Sequence, residues 1–375
     1  MAKIVILGGG FGGLITAEQL AESLGADHQI TLVAPNRKFT FYPALVPLAF
    51  GECSAEDITF DLSAKLVDLG IRYVQGEVIR INARMRTVKV AGEDFNGDIG
   101  YDYLVIALGR RLATEKVPGF FESANHLLGT KAARKFGEAV SDFRKGTIIV
   151  GLCPDARLPV PVCETAFALA KRFEPAVQDG RVQIKVIFPE SLKAAFGGAQ
   201  VHKQLESAFE RHHINVLYDV PIREISCAAI FSSNKHEIEY DLLMLVPPFR
   251  GNAALSDLGI TDESDYVRVD GFMRVQGPEK TYAVGDIVAF SGPKFAYMAV
   301  RQAEVAAANI VSEIKGDAVA KEYFHEIATI IDTGGSDSIY LHYGIWNDVL
   351  YRLKKGKLWS LGKNIHGAFW RARHK

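Results

Sequence analysis

Residues 3–34 read KIVILGGGFGGLITAEQLAESLGADHQITLVA, and this stretch decides the fold. Lys3 to Leu7 is a short, β-branched apolar run of buried-strand length. Gly8-Gly9-Gly10-Phe11-Gly12-Gly13 follows at once, and Leu14 to Leu24 has helical spacing. A second apolar run, Ile30 to Val33, completes the order and length of a βαβ unit. In that setting the glycines let a backbone approach a pyrophosphate, while the next helix turns its N–H groups and positive dipole end toward it. Gly8, Gly10, Phe11, Gly12 and Gly13 are therefore expected to bind a dinucleotide; NAD and FAD use the same device. The acid that usually holds the adenosine ribose stands just after the second strand. Here Ala34-Pro35-Asn36 occupies that place, leaving the contact to Asn36, a backbone group or water.

Working outward, Tyr101 to Gly109 (YDYLVIALG) is another buried strand ending in glycine, expected to return to the first sheet. Gly146 to Gly151 opens a second α/β unit, continued by Val182 to Phe188 and Leu242 to Val246, with a helix near Ala166 to Phe173. Thr281 to Ile287 gives one more strand, running into Gly285-Asp286, and Lys294 to Ile314 reads as a helix. The chain has 375 residues, and at about 150 residues per domain two or three domains are expected.

Apolar residues make up 48% and charged residues 23%, an ordinary globular balance. Lys and Arg (43) match Asp and Glu (44), so no global basic field would hold a nucleic acid. Four cysteines, Cys53, Cys153, Cys163 and Cys227, are too few for a disulfide scaffold. The ten histidines are scattered, and no metal site is expected. No secretory signal and no run of spanning length is visible, which suggests a cytoplasmic protein able to attach to a membrane surface. The tail changes character: from Asn347 to Lys375, eight Lys and Arg face the single acid Asp348, and all three tryptophans of the chain fall between Trp346 and Trp370. Aromatics among cations suit a segment lying in a headgroup layer; a basic surface helix or a dimerisation helix is the other reading.

The turn after the second-unit strand carries no glycine pattern. Gly151 is followed by Leu152-Cys153-Pro154-Asp155-Ala156-Arg157-Leu158-Pro159-Val160-Pro161-Val162-Cys163-Glu164, where a nicotinamide domain would hold its own phosphate turn. Two cysteines there point to a sulfur-based reductant in place of NADH, because a thiolate can form a persulfide and attack a flavin. Cys153 and Cys163 could equally be small core residues.

Further blocks carry a family resemblance: the opening turn, Phe39-Thr40-Phe41-Tyr42-Pro43-Ala44-Leu45, YDYLVIALG, Pro247-Pro248-Phe249 with Gly251-Asn252, AVGD, and Lys294-Phe295-Ala296-Tyr297-Met298. In this order, over nearly the whole chain, they resemble the sulfide:quinone oxidoreductases, flavoproteins similar to the type II NADH dehydrogenases and to flavocytochrome c sulfide dehydrogenase. The resemblance implies an α/β protein of two Rossmann-like, glutathione-reductase-type domains. The FAD-binding domain would comprise residues 1–112 and 270–315, the second domain residues 113–269 without an NADH turn, and an amphipathic quinone- and membrane-facing region residues 316–375.

It also implies that Gly8, Gly10 and Gly13 hold the FAD pyrophosphate, that Pro43, Gly109 and Gly285 line the cofactor site, and that Asp286 contacts the ribityl or pyrophosphate region. Lys294 would face the isoalloxazine ring, where a cation stabilises negative charge on the reduced flavin. Cys163 matches the family's redox cysteine, with Cys153 an unusual possible partner and Glu164 a proton acceptor. The family's late partner cysteine falls at Thr329, so the usual two-cysteine bridge is not available. A quinone would enter near Tyr340, Tyr343 and Trp346, whose rings could sandwich it. The expected activity is electron transfer from sulfide or a related sulfur species through FAD to a membrane quinone, on the cytoplasmic side, in a peripheral and possibly homo-oligomeric protein. NADH oxidation, or a flavin-bound binding protein without turnover, are the alternatives.

Overall fold

In the computed structural model, residues 1–93, 95–318, 321–335 and 337–374 are described. Lys375, one of the tail cations, lies outside them. The first layer is a five-stranded parallel sheet of β1 (Lys3–Leu7), β2 (Gln29–Ala34), β3 (Arg72–Gln75), β4 (Tyr103–Ile106) and a late strand, β9 (Thr281–Ala283), in the order β9-β4-β1-β2-β3. Both faces of these strands are covered, which explains their near-continuous apolar reading. Helix α1 (Phe11–Leu24) follows the glycine turn and packs against α3 (Ala296–Lys315).

The second layer is a parallel sheet of β5 (Gly146–Leu152), β6 (Val182–Ile187), β7 (Ile214–Leu217) and β8 (Leu242–Val246), ordered β7-β6-β5-β8. Its crossover helix α2 (Pro159–Arg172) begins at Pro159 rather than near Ala166. The Pro-Val-Pro-Val run reads as loop, yet proline is well tolerated in a first helical turn, where its missing N–H has no intrahelical acceptor.

The third layer is an antiparallel sheet of β10 (Glu326–Asp332), β11 (Ser338–Gly344) and β12 (Val349–Gly356). Helix α4 (Lys357–His374) lies against it. The basic aromatic tail is thus half strand and half helix. Among the described residues no helix is long and apolar enough to cross a membrane.

Candidate functional site

The opening turn is built by three different glycine requirements. Gly8 has φ +111° and a Cβ there would sit within the carbonyl of Ala107; a Cβ at Gly13 would sit within the carbonyl of Gly8. Both positions are therefore glycine because protein backbone fills the space. Gly12 is close-packed too, its Cβ direction ending 3.0 Å from Val284. Gly10 differs: it caps α1 with an ordinary φ of −83°, and nothing lies within 4 Å of its Cβ direction. The first turn of α1 carries no acidic residue, so the positive end of its dipole is unneutralised beside the open Gly10 position. That arrangement suits a pyrophosphate. The Phe11 ring is engaged by Phe39, Phe41 and Trp370 at 5.1, 5.8 and 4.9 Å, which leaves its backbone as the group that a cofactor could meet.

Around this turn, Asn36 and Pro43 are exposed, and Gly109 and Gly285 take left-handed conformations with φ of +67° and +81°. The Gly285 N–H donates to the buried Gln302 side chain at 2.7 Å. Asp286 pairs with Arg110, whose guanidinium lies 4.2 Å from the Phe249 ring centroid. Lys294 is buried, donates to the Val288 carbonyl and stands 4.8 Å from the Tyr266 ring centroid. Burial and the like charges of Arg157 and Arg110 drive its ammonium well below the usual lysine range. Beside it the buried Tyr266 hydroxyl has Arg157 as its neighbouring donor. Two guanidiniums, Arg110 and Arg157, thus gather with the Tyr266 ring around a buried Lys294 amine whose charge burial opposes.

The segment after β5 is tied to the 290–294 segment. Arg157 donates to the carbonyl of Gly292 at 2.6 Å and to that of Phe290, and its own carbonyl accepts from the Lys294 N–H at 2.8 Å. Helix α2 then starts with Pro159 and Pro161, which removes two of the N–H groups that an anion would need. Arg110 and Arg157 escape a sequence reading because nothing in their local spacing marks them.

Cys163 and Cys153 sit in apolar cores, one of the two readings that the sequence left open. Both are fully buried, and they belong to two separate apolar cores. Burial, then the adjacent Glu164 carboxylate, pushes the Cys163 thiol up; burial alone pushes up that of Cys153. Neither offers the exposed thiolate that nucleophilic sulfur chemistry requires, and the structure does not join them as redox partners. Thr329 lies on β10 opposite Leu341, on the face of the third sheet that packs inward.

Glu164 is buried but not isolated. It accepts from the Asp332 N–H at 2.9 Å and from the Lys363 ammonium of α4. Burial raises its carboxyl, and Lys363 opposes that rise without cancelling it. Lys363 has no sequence signal, being far along the chain from its partner.

The three expected quinone residues do not form one sandwich. Tyr340 stacks on Trp359 of α4 at 4.4 Å. Tyr343 points to the opposite face of β11, as strand parity demands, and its hydroxyl donates to Asp348 at 2.5 Å. Trp346 joins Phe290, Tyr323 and His325 in a separate cluster. The three positions share a layer but not a ring-binding slot.

Helix α4 has two apolar faces. Trp359, Lys363, Trp370 and His374 turn inward; the Trp370 ring lies 5.0–5.3 Å from Phe39 and Phe41, and His374 pairs with Glu18. Leu358, Leu361, Ile365 and Phe369 form an outward stripe between 56% and 81% exposed.

Comparison with known proteins agrees with this plan. The sulfide-quinone reductase of Aquifex aeolicus is 27% identical over 345 residues, covering 84% of this chain and 78% of that one. The type II NADH:quinone oxidoreductase of Staphylococcus haemolyticus is 20% identical over 365 residues, covering 91% and 90%. Among solved structures, the Aquifex aeolicus sulfide:quinone oxidoreductase superposes with a TM-score of 0.92 at 23% identity, covering 100% of this chain and 91% of that chain. NDH2 from Plasmodium falciparum reaches 0.76 at 16% identity, covering 100% and 96%. Residues 2–303 match the pyridine nucleotide-disulphide oxidoreductase family, to which this chain belongs.

Proposed function

We propose that the protein is an FAD-dependent oxidoreductase that carries electrons from sulfide, or a related small sulfur donor, to a membrane quinone. The residues present fit FAD: Gly10 leaves a clear approach to the start of α1, a cradle that a Cβ would fill, and Lys294, Arg157 and Tyr266 bring polar groups together nearby. When bound, the flavin accepts two electrons from the donor and passes them to the acceptor. Gly10 and the N–H groups of α1 would hold its pyrophosphate, while Arg110 would supply positive charge at its site and Lys294 a buried amine donor.

One observation carries the choice of donor: the segment after β5 has no glycine turn, and Pro159 and Pro161 remove N–H groups from the first turn of α2. NADH has no comparable cradle there. The buried thiols of Cys163 and Cys153 favour a donor that meets the flavin directly. The outward stripe of α4, with Lys354, Lys355 and Lys357 at its start, would lie in a headgroup layer and bring the site to a lipid-soluble acceptor.

The test is anaerobic mixing of purified holoprotein with sulfide, and separately with NADH, followed by the oxidised flavin band. Sulfide alone is expected to bleach it, and Cys163→Ser is expected to bleach at a similar rate. Loss of bleaching in Cys163→Ser would assign a thiol relay. Bleaching by NADH alone would overturn the proposal.

A further inference from the structure

A chain of titratable side chains, separate from the residues assigned above, runs from the start of α3 to the solvent edge of the third sheet. The Tyr297 hydroxyl, in the first turn of α3, donates to Oε1 of Glu326 at 2.7 Å. The other oxygen of Glu326 pairs with Nε2 of His342 at 2.9 Å. The imidazole lies 4.8 Å from the Tyr351 ring, whose hydroxyl accepts from Asn347 at 2.7 Å.

Register explains how β10 and β11 bring these groups together. Glu326 opposes Gly344, while His342 opposes Ala328, so the carboxylate reaches the imidazole diagonally on one face. A Cβ at Gly344 would crowd the Tyr351 ring, so glycine there gives the outer end its room. Tyr340 lies on the same face, stacked on Trp359 of α4. The inner end is therefore in the first turn of α3, near Tyr340 and three residues after Lys294. The outer end is wetter: the His342 side chain is 30% exposed and that of Glu326 19%.

Charged and titratable neighbours face the chain from each packed element. Arg301 comes from α3, Arg352 stands opposite His342 on β12, Tyr340 is on β11, and Tyr323 precedes β10. Burial acts to raise the Glu326 carboxyl, but the hydrogen bonds from His342 and Tyr297 outweigh it and leave it low. Burial and Glu326 push the Tyr297 hydroxyl up, so it keeps its proton. A carboxylate that uses one oxygen toward the site and the other toward solvent links the two ends.

We propose that Tyr297, Glu326 and His342 form the proton relay for quinone reduction. This rests on the quinone-reductase reading. Each quinone takes two electrons from the reduced flavin and two protons, giving the quinol. For each proton, Tyr297 gives its hydroxyl proton to a quinone oxygen and regains one from Glu326; Glu326 is recharged by His342, and His342 by water. Between turnovers the Tyr297 hydroxyl turns back to Glu326. All three are positioning and relay groups on the acceptor side, with no part in the sulfur half-reaction.

The experiment follows reoxidation of pre-reduced holoenzyme in stopped flow by decylubiquinone, which needs protons, and by ferricyanide, which does not, across pH 6–9. In Glu326→Gln and Tyr297→Phe the quinone-to-ferricyanide rate ratio is expected to fall by on the order of 10²-fold, the low end of what positioned proton transfer contributes. The pH dependence of the quinone rate should flatten with it, and His342→Ala should recover when imidazole is added to the buffer. Tyr297→Phe removes a single hydroxyl and carries the test should Glu326→Gln fold poorly. An unchanged ratio in both variants, with wild type reoxidised by quinone, overturns the relay alone. Wild type reoxidised by ferricyanide but not by quinone overturns the quinone-reductase reading and the relay with it.

Discussion

Replacing Gly10 by alanine separates the two reasons for glycine in the opening turn. The Gly10 backbone, at φ −83° and ψ −167°, suits any residue, and its Cβ direction is empty within 4 Å. Alanine in place of glycine at a helix cap costs about 1 kcal/mol or less, so the fold should survive. The methyl group would stand in the approach to the N–H groups of Phe11 and Gly12. Hydrogen bonds to a charged group contribute about 1.5–3 kcal/mol each, so losing two weakens cofactor binding by about 3–6 kcal/mol. That corresponds to an affinity lower by on the order of 10²–10⁴-fold. Gly13→Ala is the counterpart: its Cβ meets the carbonyl of Gly8, and backbone must move, at a cost of about 3 kcal/mol or more in stability. The assay is FAD titration of stripped protein by flavin fluorescence, with urea unfolding of the same samples. Wild-type FAD affinity in Gly10→Ala, or a stability loss equal to that of Gly13→Ala, would refute the reasoning.

Two further outcomes follow from buried ionisable groups. Lys363→Met leaves Glu164 buried without its cation, a loss of about 3–5 kcal/mol. The carboxyl should then hold its proton more tightly, so the defect is deepest at pH 8 and eases toward pH 5.5; urea unfolding at both pH values checks this, and adding Glu164→Gln should restore most of the loss. His325 is pushed down to about 4, chiefly by burial, from its usual 6.5. Its contribution is full above pH 6.5 and drains as pH falls through that window, about 3 kcal/mol in all, because the unfolded chain takes up the proton first. His325→Asn should flatten the stability slope between pH 6.5 and pH 4.5, and an unaltered slope would count against a neutral buried imidazole.

The parts of this fold legible in the sequence are those written in local periodicity. The β1 turn, the buried runs of β5, β6 and β8, and helix α3 each carry their signal within a few residues, and the structure places them within a residue or two of expectation. The start of α2 is displaced because prolines signal both loop and first helical turn. The site is less legible because its pairs form across the chain: Lys363 with Glu164, Arg110 with Asp286, and Arg157 with the carbonyls of Phe290 and Gly292. Cys163 shows a different limit. A cysteine in a suggestive segment looks the same in sequence whether it faces a cofactor or a core, and only the helix position and burial decide. Tyr340 and Tyr343 were separable in principle, since residues three apart in a strand face opposite ways.

The docking of Trp370 on Phe11 and of His374 on Glu18 has a consequence for synthesis. The glycine turn leaves the ribosome well before the ring and the imidazole that brace it, which are made hundreds of residues later. A nascent chain can assemble its first parallel strands early, but the wall beside the turn must wait until α4 has emerged. Maturation of the site at the glycine turn is thereby tied to translation through α4, and termination before α4 would leave this site unbraced.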